Sequence, residues 1–376
     1  MKIAWIHYLR ILAAFGVVLI HASENTIFCR SDVPGIVWEI ANVCKASAVW
    51  TVPVFVMISG YLLLQPSWES ALDFYRNRLK KLLIPFFAAV VFFSLITFIR
   101  EISSRGASSG ISFAIDSSTF SAAMKAVLWN FVTGRPFYHL WYLYMILGLF
   151  MLTPLLRKIV ERLSRRSLGI LCGCLLVVTI AVISYLSLVK NINCSVAIEN
   201  APFPVWFLPY LGYFFCGYFF RQWTFRISNW ILIAIFVVSV AATAGLCSYF
   251  SAKGQTALGM FFYSFTGITV VPMALSIFLW FKNISFNEYS ILDTLGNLTF
   301  GIYLIHPAFQ WAAYVVGIFH RAKGSPFWIP ASAVIVFAVS AAIVYILIHL
   351  TSERELEDMP MEERITMPPD ERTSLF

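Results

Sequence analysis

Charged side chains are scarce in this sequence: Asp, Glu, Lys and Arg make up 12% of 376 residues, against 60% hydrophobic residues. So little charge cannot cover a water-facing surface, which excludes an ordinary soluble fold. Metal-binding patterns are missing as well. The seven cysteines have no ligand spacing; Cys172 and Cys174, two apart on a helix, do not face each other. Cys29 and Cys44 share one expected loop and would pair only in an oxidising compartment, so free thiols are expected. There is no internal repeat and no soluble catalytic stretch, which leaves any chemistry to the hydrophobic part of the chain. Acidic residues are concentrated at the end. Thr351 to Phe376 hold eight acidic and three basic side chains, so the formal net charge of +8 becomes +13 for the rest. That positive excess sits in short loops between apolar runs, where it reads as a topology signal and not as a nucleic-acid footprint.

What is present is long apolar runs. In lipid every backbone donor and acceptor must be satisfied internally, and runs of about 20 residues mean helices, not the shorter alternating strands of a barrel. Apolar windows place spans near Trp5–Ala22, Ser47–Leu64, Leu82–Ile99, Leu140–Leu156, Leu168–Leu188, Phe203–Phe220, Trp230–Phe250, Leu258–Phe281, Leu295–Val316 and Phe327–Leu350. The expected fold is thus all-α, a polytopic integral membrane protein of about ten transmembrane helices. Lys2 and the apolar stretch 11–20 read as the first span and not as a signal peptide, because Arg10 and His21 bracket the run.

Basic loops set the orientation. Arg76, Arg78, Lys80 and Lys81 follow span two, Arg157 to Arg166 follow span four, and Arg221 and Arg226 follow span six. All fall on one side of a ten-span bundle, which the positive-inside rule makes cytoplasmic, so both termini are expected inside. The connections Ala22–Ala46 and Arg100–His139 then lie outside; the second carries a Ser-rich stretch, Ser103–Ser121, expected as a mobile loop or a short surface piece. The organisation expected is a transmembrane domain over 1–350 and a disordered, charged cytoplasmic tail over 351–376.

An ionisable side chain inside a span costs several kcal/mol unless paired or hydrated, so each is a functional candidate. Arg10 and His21 are eleven residues apart on span one. At about 100° and 1.5 Å per residue this puts them on one face, about 16 Å apart, as two depths of one polar cavity. Each also has a plainer reading, an arginine snorkelling to headgroups and a histidine capping a neighbour. Histidine is the side chain suited to taking a proton from a hydroxyl near neutral pH. Glu24, three residues on, either orients that ring or is a solvated loop acid.

The spacing of Arg10 and His21 resembles the signature of the membrane-bound acyltransferase family 3. So do Phe55-Val-Met-Ile-Ser59-Gly60-Tyr61, the basic run from Phe74 through Arg76 and Arg78 to Lys81, Tyr138-His139-Leu-Trp141-Tyr-Leu, and Gly301-Ile-Tyr303-Leu-Ile-His306-Pro307. Five motifs in order over residues 5 to 310 carry the likeness. Within the family the chain is similar to single-domain O-acetyltransferases of surface polysaccharides, such as those acting on enterobacterial common antigen, through Val37–Val43 and Tyr138–Leu143.

The resemblance implies an acyl-CoA donor, acetyl-CoA foremost, and no metal. It implies an acceptor hydroxyl on a lipid-linked or cell-surface glycan, and a multi-pass place in a bacterial inner membrane. His21 would be the catalytic base with Arg10 its partner. Arg78 and Lys81 fall where the family has an Arg-x-x-Arg; lysine keeps the charge but loses the bidentate fork. With Arg76 they would hold the donor's phosphates, or else simply anchor the loop at the membrane surface. Ser59 and Gly60 would line the cavity or let helices approach. His139 and Trp141 would hold the acceptor, or belong to an interfacial aromatic belt, and Tyr303 and His306 would add polar groups. The rival functions are a transporter or flippase using the same polar cavity, and a scaffold or sensor without turnover.

Overall fold

A computed structural model describes residues 4–66, 70–108, 117–135, 137–189, 203–287, 289–315, 325 and 327–358, without the side chains of 78, 80, 81, 100–119, 123, 203, 314, 315 and 351–358. Among the described residues the helices are α1 (Ala4–Phe28), α2 (Gly35–Ala46), α3 (Thr51–Leu63), α4 (Ala71–Phe74), α5 (Lys80–Ser108), α6 (Ser117–Val132), α7 (Trp141–Arg162), α8 (Arg165–Leu188), α9 (Leu211–Gln222), α10 (Asn229–Ala252), α11 (Thr256–Phe261), α12 (Val270–Asn283), α13 (Ser290–Val315) and α14 (Trp328–Asp358). No strand occurs among them. Seven segments are long and apolar enough to cross a bilayer: 4–28, 35–63, 82–99, 141–162, 165–188, 229–252 and 328–350. Backbone polar groups satisfied within helices, together with exposed apolar side chains such as Val177, Val178, Val237 and Val238, are what a lipid solvent selects. The all-helical, polytopic membrane fold is as expected.

Two of the ten windows read from hydropathy are interrupted for local reasons, whereas the window starting at Leu295 falls on the continuous α13. Over 203–220 the chain makes 3₁₀ turns at Phe203–Val205 and Leu208–Tyr210 before α9 begins, because Pro204 and Pro209 cannot donate to a continuous helix. Over 258–281 it breaks between α11 and α12 through turns closed by Tyr263, Ser264 and Gly267. Windowed hydropathy cannot see either interruption, since both segments stay apolar.

Two expected connections are also largely helical. Residues 22–46 continue α1 to Phe28 and then form α2, and residues 100–139 contain the end of α5 and all of α6, with 109–116 outside the described residues. At the other end α14 runs to Asp358, eight residues into the segment expected as a disordered tail. Glu353, Arg354, Glu355 and Leu356 are good helix formers, and no breaker occurs before Pro360. Residues 359–376 lie outside the described residues.

The chain divides into two compact units, residues 1–48 with 284–376, and residues 49–283. In the first, α1 packs against α2, α13 and α14. Leu9, Ala13 and Val18 of α1 are buried with Ile302 of α13 and Ala333 of α14. Phe15 meets Phe337 edge to face at 5.7 Å, and Gly301 lies against Val344, where a β-carbon would stand 2.5 Å from Cγ1. In the second, α9 packs against α3 and α8, and α10 against α11 and α12. Several helix ends in this unit are closed by basic side chains. Arg157 Nε donates to Leu63 O at 2.7 Å, Arg221 to Tyr61 O at 3.4 Å, Lys282 to Phe220 O and Trp223 O, and Arg165 to Gln222 O. Cations at helix C-termini satisfy orphan carbonyls and favour the dipole there.

Candidate functional site

Because α1 carries on past Ala22, Glu24 is a helix residue one turn beyond His21, and the i, i+3 spacing brings the two side chains together. His21 Nδ1 lies 2.9 Å from Glu24 Oε2. With the carboxylate accepting, Nδ1 carries the proton and Nε2 carries the lone pair, which fixes the tautomer a general base requires. The other carboxylate oxygen, Oε1, accepts from Lys45 Nζ of α2 at 3.2 Å. Lys45 is 8% exposed, its ammonium also 5.5 Å from the Phe28 ring centre. A charge so far from water is tolerable only when compensated, and Glu24 is the carboxylate that faces Lys45.

The opposite wall comes from α13. His306, wholly buried, stacks on His21 with ring centres 5.5 Å apart and planes 27° from parallel. Its Nδ1 lies 3.0 Å from the carbonyl of Ile302. Pro307 has no N–H to offer Tyr303 O four residues back, yet the helix continues through it. Tyr303, buried at 8% exposure, lies 6.1 Å from His306, and Gln310 Nε2 donates to Val18 O at 3.2 Å, tying α13 to α1 a turn below His21. His21, Glu24, Lys45, Tyr303 and His306 thus form one polar cluster within the first unit. Arg10 is half-buried on the same helix, three turns toward the N-terminus.

Lys45 was not among the residues singled out by sequence, because it fell in a segment read as a loop. A signal was available. Val37, Trp38, Ala41, Asn42 and Lys45 recur at helical spacing, and all five are buried in α2. A lysine on the buried face of an amphipathic stretch calls for an acid within reach.

The remaining sequence candidates lie in the second unit. Ser59 spends its hydroxyl on Phe55 O of its own helix at 2.9 Å. Arg76 is exposed in the π-turn Tyr75–Leu79 between α4 and α5. The side chains of Arg78 and Lys81 lie outside the described residues. His139, 1% exposed, is set among the rings of Phe93, Phe137 and Tyr138 at 4.7, 5.7 and 5.6 Å, so in this structure it offers no surface to a sugar. Trp141 is half-buried and stacks on Phe265 at 5.8 Å. Cys29 and Cys44 are free thiols. Among the described residues no three His, Cys, Asp or Glu side chains gather as metal ligands.

An all-helical chain with several spans long and apolar enough to cross a bilayer defines a class, a polytopic integral membrane protein. The family described as "Acyltransferase domain" matches residues 3–348, nearly the whole chain, and the chain belongs to it. It is a membrane acyltransferase of the acyltransferase family 3. No curated protein matches it, and neither does any solved structure.

The chain Lys45–Glu24–His21 makes a specific prediction. Lys45→Met removes the cation while keeping the stem's volume, so Glu24 loses its compensating charge and its aim at the imidazole. The acyl-transfer rate is expected to fall about tenfold, on the order of one lost charge-assisted hydrogen bond. In a Glu24→Gln background the same change should add little, since Lys45 acts through Glu24. Full additivity in that cycle, measured on protein quantified in membranes, would mean Lys45 acts elsewhere.

Proposed function

We propose that this acyltransferase moves an acyl group, acetyl foremost, from acyl-CoA to a hydroxyl of a lipid-linked or cell-surface polysaccharide in a bacterial inner membrane, with His21 as general base. The observation that supports it best is the 2.9 Å contact of His21 Nδ1 with Glu24, backed by Lys45. His21 Nε2 takes the proton of the acceptor hydroxyl as its oxygen attacks the thioester carbonyl. The carbon–sulfur bond breaks, and the departing coenzyme A thiolate takes the proton back from imidazolium, restoring the base. Arg10 helps place the donor. Arg76, Arg78 and Lys81 hold the nucleotide phosphates, Ser59 lies along the donor's path, and Trp141, His139, Tyr303 and His306 serve the acceptor. For His139 and His306, both buried, this role requires the packing around them to open.

The test is transfer itself. Purified protein given acetyl-CoA labelled in its acetyl group and a lipid-linked glycan extract should pass label to glycan with stoichiometric release of free coenzyme A. Glycan that moves across proteoliposomes with no thioester consumed would favour transport instead. Donor binding has its own check. Arg78→Gln with Lys81→Gln should raise the KM for acyl-CoA by about tenfold while kcat changes less than about twofold, as lost ground-state binding predicts. An unchanged KM would leave these cations as membrane anchors.

A further inference from the structure

The second unit holds a groove that the acyl-transfer reading does not use. It has a volume of about 690 Å³ and lies where the N-terminus of α8 meets the chain leaving α9. Arg165 and Arg166 stand at its mouth, its walls include Ile170, Phe219, Trp223 and Phe225, and no carboxylate lines it. Arg165 has one hand occupied, donating to Gln222 O and to Thr224 Oγ1. Arg166 is exposed. Trp223 lies against Phe219, ring centres 5.2 Å apart, yet its indole N–H is buried without a hydrogen-bond partner among the described residues. An unspent donor costs free energy unless something accepts from it, and a turn of the Trp223 ring would offer this one to the groove.

The groove's position says what that acceptor is. α8 crosses the bilayer from Arg165 to Leu188, so its first turn lies at a membrane surface. From the groove downward its outer face stays apolar and open, with Ile170 58%, Val178 58% and Val182 50% exposed. Two cations at headgroup depth, a tryptophan N–H beside them and an apolar runway beneath match a molecule with a phosphate ester at one end and hydrocarbon at the other. We infer that this groove is a binding site for an anionic phospholipid, its phosphate between Arg165 and Arg166, its acyl chains along α8, and an ester or phosphate oxygen accepting from Trp223 Nε1 once the ring turns toward it. The donor's phosphates share the headgroup chemistry but have no long paired chains to occupy the exposed face of α8.

Native mass spectrometry tests this on the full-length chain released from micelles containing equal phosphatidylglycerol and phosphatidylcholine. Wild type should retain phosphatidylglycerol preferentially. Arg166→Gln should cut that preference about fivefold, the effect of one interfacial cation. Trp223→Phe, which keeps the ring on Phe219 and removes only the N–H, should cut it as well. Arg165 is left alone because it also holds the end of α9. Equal retention of both lipids by wild type, or a preference unchanged in both variants, overturns the assignment. Parallel samples receive coenzyme A or inorganic phosphate in excess: retained phosphatidylglycerol supports the lipid, whereas its displacement by either makes this a water-soluble phosphate site and overturns it.

Discussion

His21→Ala is expected to lower kcat for acyl transfer by about 10³-fold, with the protein still present in the membrane at normal levels. General-base catalysis contributes about 10²–10⁴-fold, and alanine removes the base with nothing adjacent able to take its place. His306 is the nearest substitute by distance, at 5.5 Å between ring centres, but it is wholly buried and its Nδ1 is engaged with the Ile302 carbonyl. Glu24→Gln should reach about 10²-fold by a different route. The amide is nearly the same shape, but it carries no charge to stabilise the imidazolium that forms as the proton arrives. It can also present its NH₂ to Nδ1 and select the opposite tautomer. Because both losses arise after substrate is bound, KM for acyl-CoA should move far less than kcat in either variant. Wild-type glycan acetylation by His21→Ala, normalised to membrane-inserted protein, would place the base elsewhere and remove the reason for the Glu24 and Lys45 arrangement.

The sequence carried the helical membrane class and one part of this cluster, for different reasons. Hydropathy integrates over many residues, so segments such as 165–188 and 229–252 stand out whatever their partners are. The placement of Arg10 and His21 on one helix needed only spacing along α1. Glu24 stayed ambiguous because Ser23, Glu24, Asn25 and Thr26 are polar and end the apolar window, although the helix does not end there. What keeps it going is tertiary: Ile27 and Ser23 are buried, and the Trp38 indole of α2 donates to Ile27 O at 3.2 Å. No local rule contains that contact. The same limit explains Lys45, whose meaning depends on an acid 21 residues away; His306 was legible through its motif, but not its stacking on His21. At 203–210 and 262–269 the failure ran the other way: apolar composition persisted through turns that proline and packing had already made.

Gly217→Val is expected to destabilise the second unit by about 3 kcal/mol, at the upper end of overpacking costs, and to deplete the protein from the membrane. The reason lies in the contact between α3 and α9. Gly60 of α3 faces the carbonyl of Phe214 on α9, and Gly217 of α9 faces the carbonyl of Met57 on α3, each glycine meeting the residue three positions before its counterpart. A β-carbon at 217 would stand 2.8 Å from the Met57 carbonyl carbon and 2.8 Å from the Tyr61 nitrogen; one at 60 would stand 2.7 Å from the Phe214 carbonyl carbon. These are backbone atoms of packed helices, so no side chain can rotate away and the helices themselves must separate. Association in lipid rests on such close packing, because hydrocarbon competes for every apolar surface. Separation would then loosen Tyr213, Phe214 and Met57, all wholly buried near this contact. Gly173→Ala is the matched control: it lies within α8 with nothing inside 4 Å of a β-carbon, so its melting temperature should stay at or slightly above that of wild type. If Gly217→Val melts with Gly173→Ala, the two helices do not meet through their glycines, and the packing described for this unit is wrong at its tightest point.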